Sequence, residues 1–237
     1  MPEDLRPQVN ASAFRVFLAL AVLGVAACGS SSEEGVGAVV VTDASENAGP
    51  WTTNLGYSVT LDEGYLTLSA VELVACRTAS RPVPFFGSGV AFAHLTSTTR
   101  LGTPFVQSLL SAPKTMLGRI APPATTYCGV GVAFGAAEGS AHDLPATPNM
   151  IGKTLHLRGV ATREDESFPF MIETSLLSRV DFEAKLDLTE RGDQVTIAIS
   201  RDPKKLFDGI EFSSLFGDSL TNAVVENVRS SISIRLE

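Results

Sequence analysis

Between Phe168 and Ile199 apolar residues return at every second position: Phe168, Phe170 and Ile172, then Val180, Phe182, Ala184, Leu186 and Leu188, then Val195, Ile197 and Ile199. A period of two is that of a strand, whose alternate side chains face opposite ways, whereas a helix would scatter the same residues round its axis. Most of the intervening positions are polar or charged, so these runs predict antiparallel strands with one wet face. Arg163 to Ser167 reads as a polar turn and Glu190-Arg-Gly-Asp193 as a hairpin loop.

The remaining elements fit the same plan. Gly37–Thr42 is an apolar strand, and Tyr57–Leu61 with Tyr65–Cys76, on either side of Asp62-Glu-Gly64, read as a hairpin. Val90–Leu95 and Thr125–Phe134 are strands, while Leu101–Ser111 fits either a short helix or an irregular segment. In Lys153–Arg158, alternation puts Leu155 and Leu157 on the core face and His156 with Arg158 on the wet one. Asp202-Pro203 opens a helical turn, with aspartate as the N-cap and proline first inside. Ser219–Val228 is a helix with Leu220, Val224, Val225 and Val228 on one face, and Ser231–Glu237 closes as a strand. The expected fold is mainly β, an antiparallel β-sandwich with long loops and one or two short helices, because the crossovers of a parallel βαβ sheet are missing. A hydrophobic fraction of 44% with 13 Phe can fill one core, so 37–237 reads as a single domain.

The segment before it has another purpose. Val16 to Ala27 is an uncharged run that as a helix reaches about 18 Å, short of the roughly 30 Å hydrocarbon layer. It resembles the apolar core of a signal peptide, so 1–27 is expected to direct export. Val25-Ala-Ala-Cys28 matches the bacterial lipobox, in which the cysteine is lipidated; the alternative is an ordinary thiol after a conventional signal. The polar run Gly29-Ser-Ser-Ser-Glu-Glu-Gly35 makes 28–36 a lipidated cysteine and flexible tether. By resemblance to other lipoproteins, the absence of aspartate after Cys28 directs the protein to the outer membrane of a bacterial cell envelope. A net charge of −8 without a Lys/Arg cluster argues against nucleic acid and against anionic headgroups, leaving the lipid anchor as the expected membrane contact.

With Cys28 taken by lipid, Cys76 and Cys128 form an even pair in an oxidising compartment, where a disulfide between them is expected. Two buried free thiols are the alternative, and a two-cysteine metal site lacks the usual close spacing.

Tyr57-Ser-Val-Thr-Leu61, Tyr65-Leu66, Val71-Glu-Leu73, Leu117-Gly-Arg-Ile-Ala-Pro-Pro123 before Thr126-Tyr-Cys128, and Leu206-Phe-Asp-Gly-Ile-Glu-Phe212 follow one another in an order that resembles the lipoproteins related to MbnP, the periplasmic partner in methanobactin copper systems. The resemblance implies a secreted β-sandwich and binding of copper or a small ligand. The pieces are a strand before a ligand loop, a Pro-Pro-x-x-x-Tyr turn and a Phe-Asp-Gly motif, and none is a catalytic signature.

Imidazole is the commonest protein ligand for copper and zinc, and the chain has three histidines. His94, at the end of a strand, and His142, in a loop beside Asp143, are the candidate metal ligands; each reads equally as an isolated polar residue. Otherwise no cofactor is expected. Trp51 with Phe85 and Phe86 offers either an aromatic platform for a sugar or peptide or packing beneath a loop. Glu164-Asp-Glu166 reads as a solvated turn before a calcium site. Gly129 to Gly135 fails the dinucleotide-loop spacing, Ser88 lacks the flanks of a nucleophile elbow, and no His-Glu-x-x-His occurs. The sequence therefore predicts no catalytic residues and no enzyme, but an anchored binding or interaction protein whose ligand or protein partner it does not name.

Overall fold

A computed structural model of the chain describes residues 35–44, 49–76 and 97–237. Expectations for 1–34, for Phe85, Phe86 and His94 and for the strand at Val90–Leu95 lie outside the described residues. Gly35–Glu237 forms one compact unit. Among the described residues twelve strands, β1 (Gly37–Thr42), β2 (Trp51–Thr52), β3 (Ser58–Ala75), β4 (Arg100–Leu101), β5 (Phe105–Ser108), β6 (Thr115–Ile120), β7 (Thr125–Phe134), β8 (Leu155–Arg163), β9 (Glu166–Thr174), β10 (Ser178–Leu188), β11 (Gln194–Arg201) and β12 (Ile232–Leu236), are joined late in the chain by a 3-10 turn (Pro203–Phe207) and one helix, α1 (Gly217–Ser231). They build two sheets in a sandwich-like arrangement, mainly β as the alternation predicts. One sheet has the order β12-β11-β1-β6; the other runs β10-β7-β3-β8-β9, with β2, β4 and β5 also on β3.

The 18-residue β3 organises the larger sheet. Its first half pairs with β8, from Ser58↔Thr162 to Leu66↔Leu155, and its second half with β7, from Leu68↔Phe134 to Ala75↔Tyr127. Leu66 pairs with Gln107 as well as Leu155, and Leu68 with Phe105 as well as Phe134, so β5 lies on the edge opposite both β8 and β7. The hairpin expected at Asp62-Glu-Gly64 is absent. The strand instead continues through a register shift between Leu61 and Glu63, because Glu63 finds cross-strand partners and Gly64 packs closely against Leu61 and Leu109. At the same place a Cβ on Gly159 would lie 2.2 Å from the Thr60 carbonyl oxygen, which is why glycine faces the bulge.

Two further expectations change. Leu101–Ser111 carries strands β4 and β5 rather than a helix, since β3 offers its free edge there and pairing satisfies the segment's backbone groups. Glu190-Arg-Gly-Asp193 is not a hairpin loop between paired strands: β10 pairs with β7, whereas β11 crosses to the other sheet and lies parallel to β1. That parallel pair departs from the wholly antiparallel expectation, and the alternation could not reveal it because strand partners are set over long separations.

Between the sheets lies one main apolar cluster, including Val40, Val59, Val71, Val130, Leu157, Ile172 and Ile197. Asp202 caps the 3-10 turn by accepting from the Lys204 amide at 3.2 Å, as its place before Pro203 predicts. Helix α1 buries Leu220, Val224 and Val228 and packs on β9, β10, β12 and the 3-10 turn. Among the described residues no helix is long and apolar enough to cross a membrane.

Candidate functional site

Cys76 and Cys128 are bonded, 52 residues apart: Cys76 follows Ala75 at the end of β3, and Cys128 sits in β7 at the register shift between the Val74↔Gly129 and Ala75↔Tyr127 pairs. His142 is exposed in the loop after β7. Its amide donates to the Pro104 carbonyl, its own carbonyl accepts from Val106, and its ring stands 6.5 Å from Phe105. Trp51 is a core residue, 4% exposed and stacked on Phe207 at 6.5 Å. Among the described residues no three His, Cys, Asp or Glu side chains are grouped to hold a metal ion.

His156 corrects the expectation of a wet face. It is 3% exposed and lies between two glutamates, with Nε2 2.9 Å from Glu63 Oε2 and Nδ1 2.9 Å from Glu173 Oε1. Arg158 reaches Glu63 at 2.6 Å and Lys153, just before β8, reaches Glu173 at 2.6 Å, so five alternately charged or polar groups run from Lys153 across β9, β8 and β3 to Arg158. The register brings them together: Tyr65↔His156 and His156↔Glu173 are cross-strand pairs, and Glu63 is opposite Arg158. Neutral imidazole can donate to one of the carboxylates, and its doubly protonated form to both. The hydrogen bond from Lys153, with another from His156 and against some desolvation, holds the Glu173 carboxyl below its ordinary range. That carboxylate therefore favours the folded state above its unfolded range, and the contribution fades as pH falls through its folded value. Being largely exposed and screened, it contributes little by itself. Replacement of the ring matters more: His156→Ala leaves a void and deprives two carboxylates of a partner, with an expected loss of about 2–3 kcal/mol in urea unfolding. A change below about 1 kcal/mol would show the bracket to be energetically idle.

At one end of the sandwich, Glu211 accepts from the Tyr57 hydroxyl through a short hydrogen bond, from Ser213 Oγ at 2.7 Å and from Arg163 at 3.1 Å. Arg163 also lies over the Tyr57 ring, 4.2 Å from its centroid. Rings follow in sequence from there: Tyr57 to Phe212 at 5.2 Å, Phe212 to Phe170 at 5.3 Å and Phe170 to Phe207 at 5.6 Å. The pieces behind the MbnP-like resemblance thus meet physically, with Tyr57 from one and Phe207, Glu211 and Phe212 from another. In the Pro-Pro-x-x-x-Tyr piece the Tyr127 hydroxyl donates to the Pro123 carbonyl at 2.9 Å, and burial raises its pKa. Each motif has a packing role. A groove of ≈280 Å³ runs between β9 and the start of α1, bounded by Phe170 and Phe212 of this cluster and by Phe168, Met171, Leu215 and Phe216, the last 78% exposed.

Sequence reasoning missed the partners of His156 and the placement of Arg201. The second carried a signal: Arg201 continues the period of Ile197 and Ile199, which puts a cation on the face that turns inward. No family model, curated protein or solved structure matches the chain.

Proposed function

We propose that the protein is an anchored, non-catalytic binding or interaction lipoprotein of the bacterial cell envelope, exported by residues 1–27 and held by lipid on Cys28. The observation that carries this reading is the Cys76–Cys128 bond. Disulfides persist in oxidising compartments and are rare in the cytosol, so the bond supports the export that the apolar run and lipobox suggest. Two or more acyl chains on Cys28 give stable attachment, and Gly29 to Gly35 gives the folded unit reach. The functional residues then serve recognition; the side chains that resemble catalytic groups, His156 and Glu211, are already engaged by structural partners.

Labelled palmitate decides the anchor. The label is expected on the wild-type chain and absent from Cys28→Ala, and a label unchanged by that substitution, or missing from both, removes the reading. Copper binding is the alternative within the same compartment; calorimetric Cu(II) uptake that disappears in His142→Ala and His94→Ala would favour it over a ligand-free interaction role.

A further inference from the structure

Where the last turn of α1 meets the start of β10, a groove of ≈200 Å³ opens among Ser69, Phe134, Leu177, Ser178, Arg179 and Arg229. Phe134 is buried, whereas Leu177 is 68% exposed and lies over Gly135, where an added Cβ would come within 3.1 Å of its Cδ2. A single exposed leucine needs no explanation. An exposed leucine on the wall of a groove that also holds two arginines is a different matter, because apolar surface beside a few polar groups is how small-molecule sites are built.

The two arginines are not equivalent. Arg179 donates from Nε to Asp181 at 2.7 Å and from Nη1 to Glu72 at 2.8 Å, so its fork is filled by carboxylates. Arg229 donates from Nε to Ser178 Oγ over a long 3.5 Å and, among the described residues, has no carboxylate partner and no hydrogen bond at Nη1 or Nη2. The Ser178 hydroxyl accepts that bond, and among the described residues its own proton has no acceptor. Guanidinium and hydroxyl therefore stand side by side on one groove with donors to spare, and a carboxylate can accept from both.

The position of Arg229 in the last turn of α1 suits the negative end of the helix dipole. That role asks only for a positive charge, and leaves the Nη donors and the adjoining space unused. Arg179, Glu72 and Asp181 together carry one net negative charge, which favours a singly charged carboxylate on Arg229 over a phosphate dianion.

We infer that this groove binds a small carboxylic acid with an apolar body, its carboxylate on Arg229 and Ser178 and its body along Leu177 and Phe134. The inference goes beyond the anchored binding role proposed above, and the palmitate result leaves it untouched.

The test is calorimetric titration of the full chain with hexanoate at constant ionic strength, with acetate, hexanol and phosphate as comparison ligands. Wild type should take up hexanoate saturably and about tenfold more tightly than acetate, which lacks the apolar body. Hexanol, which lacks the charge, and phosphate should bind no better than acetate. Arg229→Gln should weaken hexanoate about tenfold, while Lys204→Gln, which removes an exposed cation outside the groove, should leave it unchanged. No saturable heat with hexanoate in wild type, or an equal affinity in Arg229→Gln, overturns the site, as does an equal weakening by Lys204→Gln, which would reduce the effect to net charge. Hexanol binding as tightly as hexanoate, or phosphate binding more tightly, overturns the carboxylate assignment. Should Arg229→Gln fail to fold, Leu177→Ser gives a second reading: hexanoate falling to the level of acetate supports the groove, and hexanoate binding as in wild type removes it.

Discussion

Phe207→Ala is expected to lower the unfolding free energy by about 3–5 kcal/mol, among the largest effects of any single side chain in the protein. Phe207 is 0% exposed and lies within ring-packing distance of Trp51, Phe170 and Phe212, at 6.5, 5.6 and 6.1 Å. It is carried by the 3-10 turn, whose backbone is fixed on one side by the Asp202 cap and on the other by Asn227, whose amide donates to the carbonyls of Leu206 and Asp208. Gly209, at a φ of +72°, has its amide bonded to Asn54 Oδ1 at 2.7 Å. With both flanks tied, the turn cannot collapse into the vacated space, so the lost transfer energy and the cavity add. Phe216→Ala, at a site 78% exposed, is the matched control and should stay within about 0.5 kcal/mol. Urea unfolding followed by circular dichroism compares the two; similar losses would show that the ring cluster does not hold this end of the sandwich.

How far the sequence could be read depended on how local the deciding interaction was. The strands β9, β10 and β11 and the caps of the 3-10 turn announce themselves through two-residue alternation and an Asp-Pro pair, each legible within a dozen positions. Partnership was not legible. Asp62-Glu-Gly64 has the composition of a turn, yet β3 runs through it because Glu63 meets Arg158 and His156 from a strand about a hundred residues later. Likewise Leu101–Ser111 has no strong period, and only the free edge of β3 makes it strand.

The same limit governed the candidate site. His156 alternates with Leu155 and Leu157, which predicts solvent, but the residue is buried because β3 and β9 flank β8 and bring a glutamate from each side. A polar residue inside a sheet is stable where its partners arrive from neighbouring strands, and these partners lie far away in sequence. Arg201 is the contrary case. The period of Ile197 and Ile199 extends to its position, although no expectation was placed on it, and only the lack of a partner, among the described residues, at its buried Nε and Nη2 needed coordinates.

Removing the Cys76–Cys128 bond is the second change with a large expected effect. The bond closes a loop of 52 residues, and on the chain-entropy model its loss costs about 4 kcal/mol through the greater freedom of the unfolded chain. The folded state should change little, because β3 and β7 remain paired from Leu68↔Phe134 to Ala75↔Tyr127 whether or not the sulfurs are joined. The Cys76→Ser/Cys128→Ser variant should therefore keep the wild-type near-ultraviolet spectrum while its thermal midpoint falls by roughly 10 °C, given about 2–4 °C per kcal/mol for a unit of this size. Cys128 is exposed, so dithiothreitol should reach the bond in the native protein and reproduce the same fall in wild type without affecting the variant. Two alkylatable thiols in the native protein, or a midpoint indifferent to reductant, would contradict this, and would also remove the observation on which the extracytoplasmic reading rests.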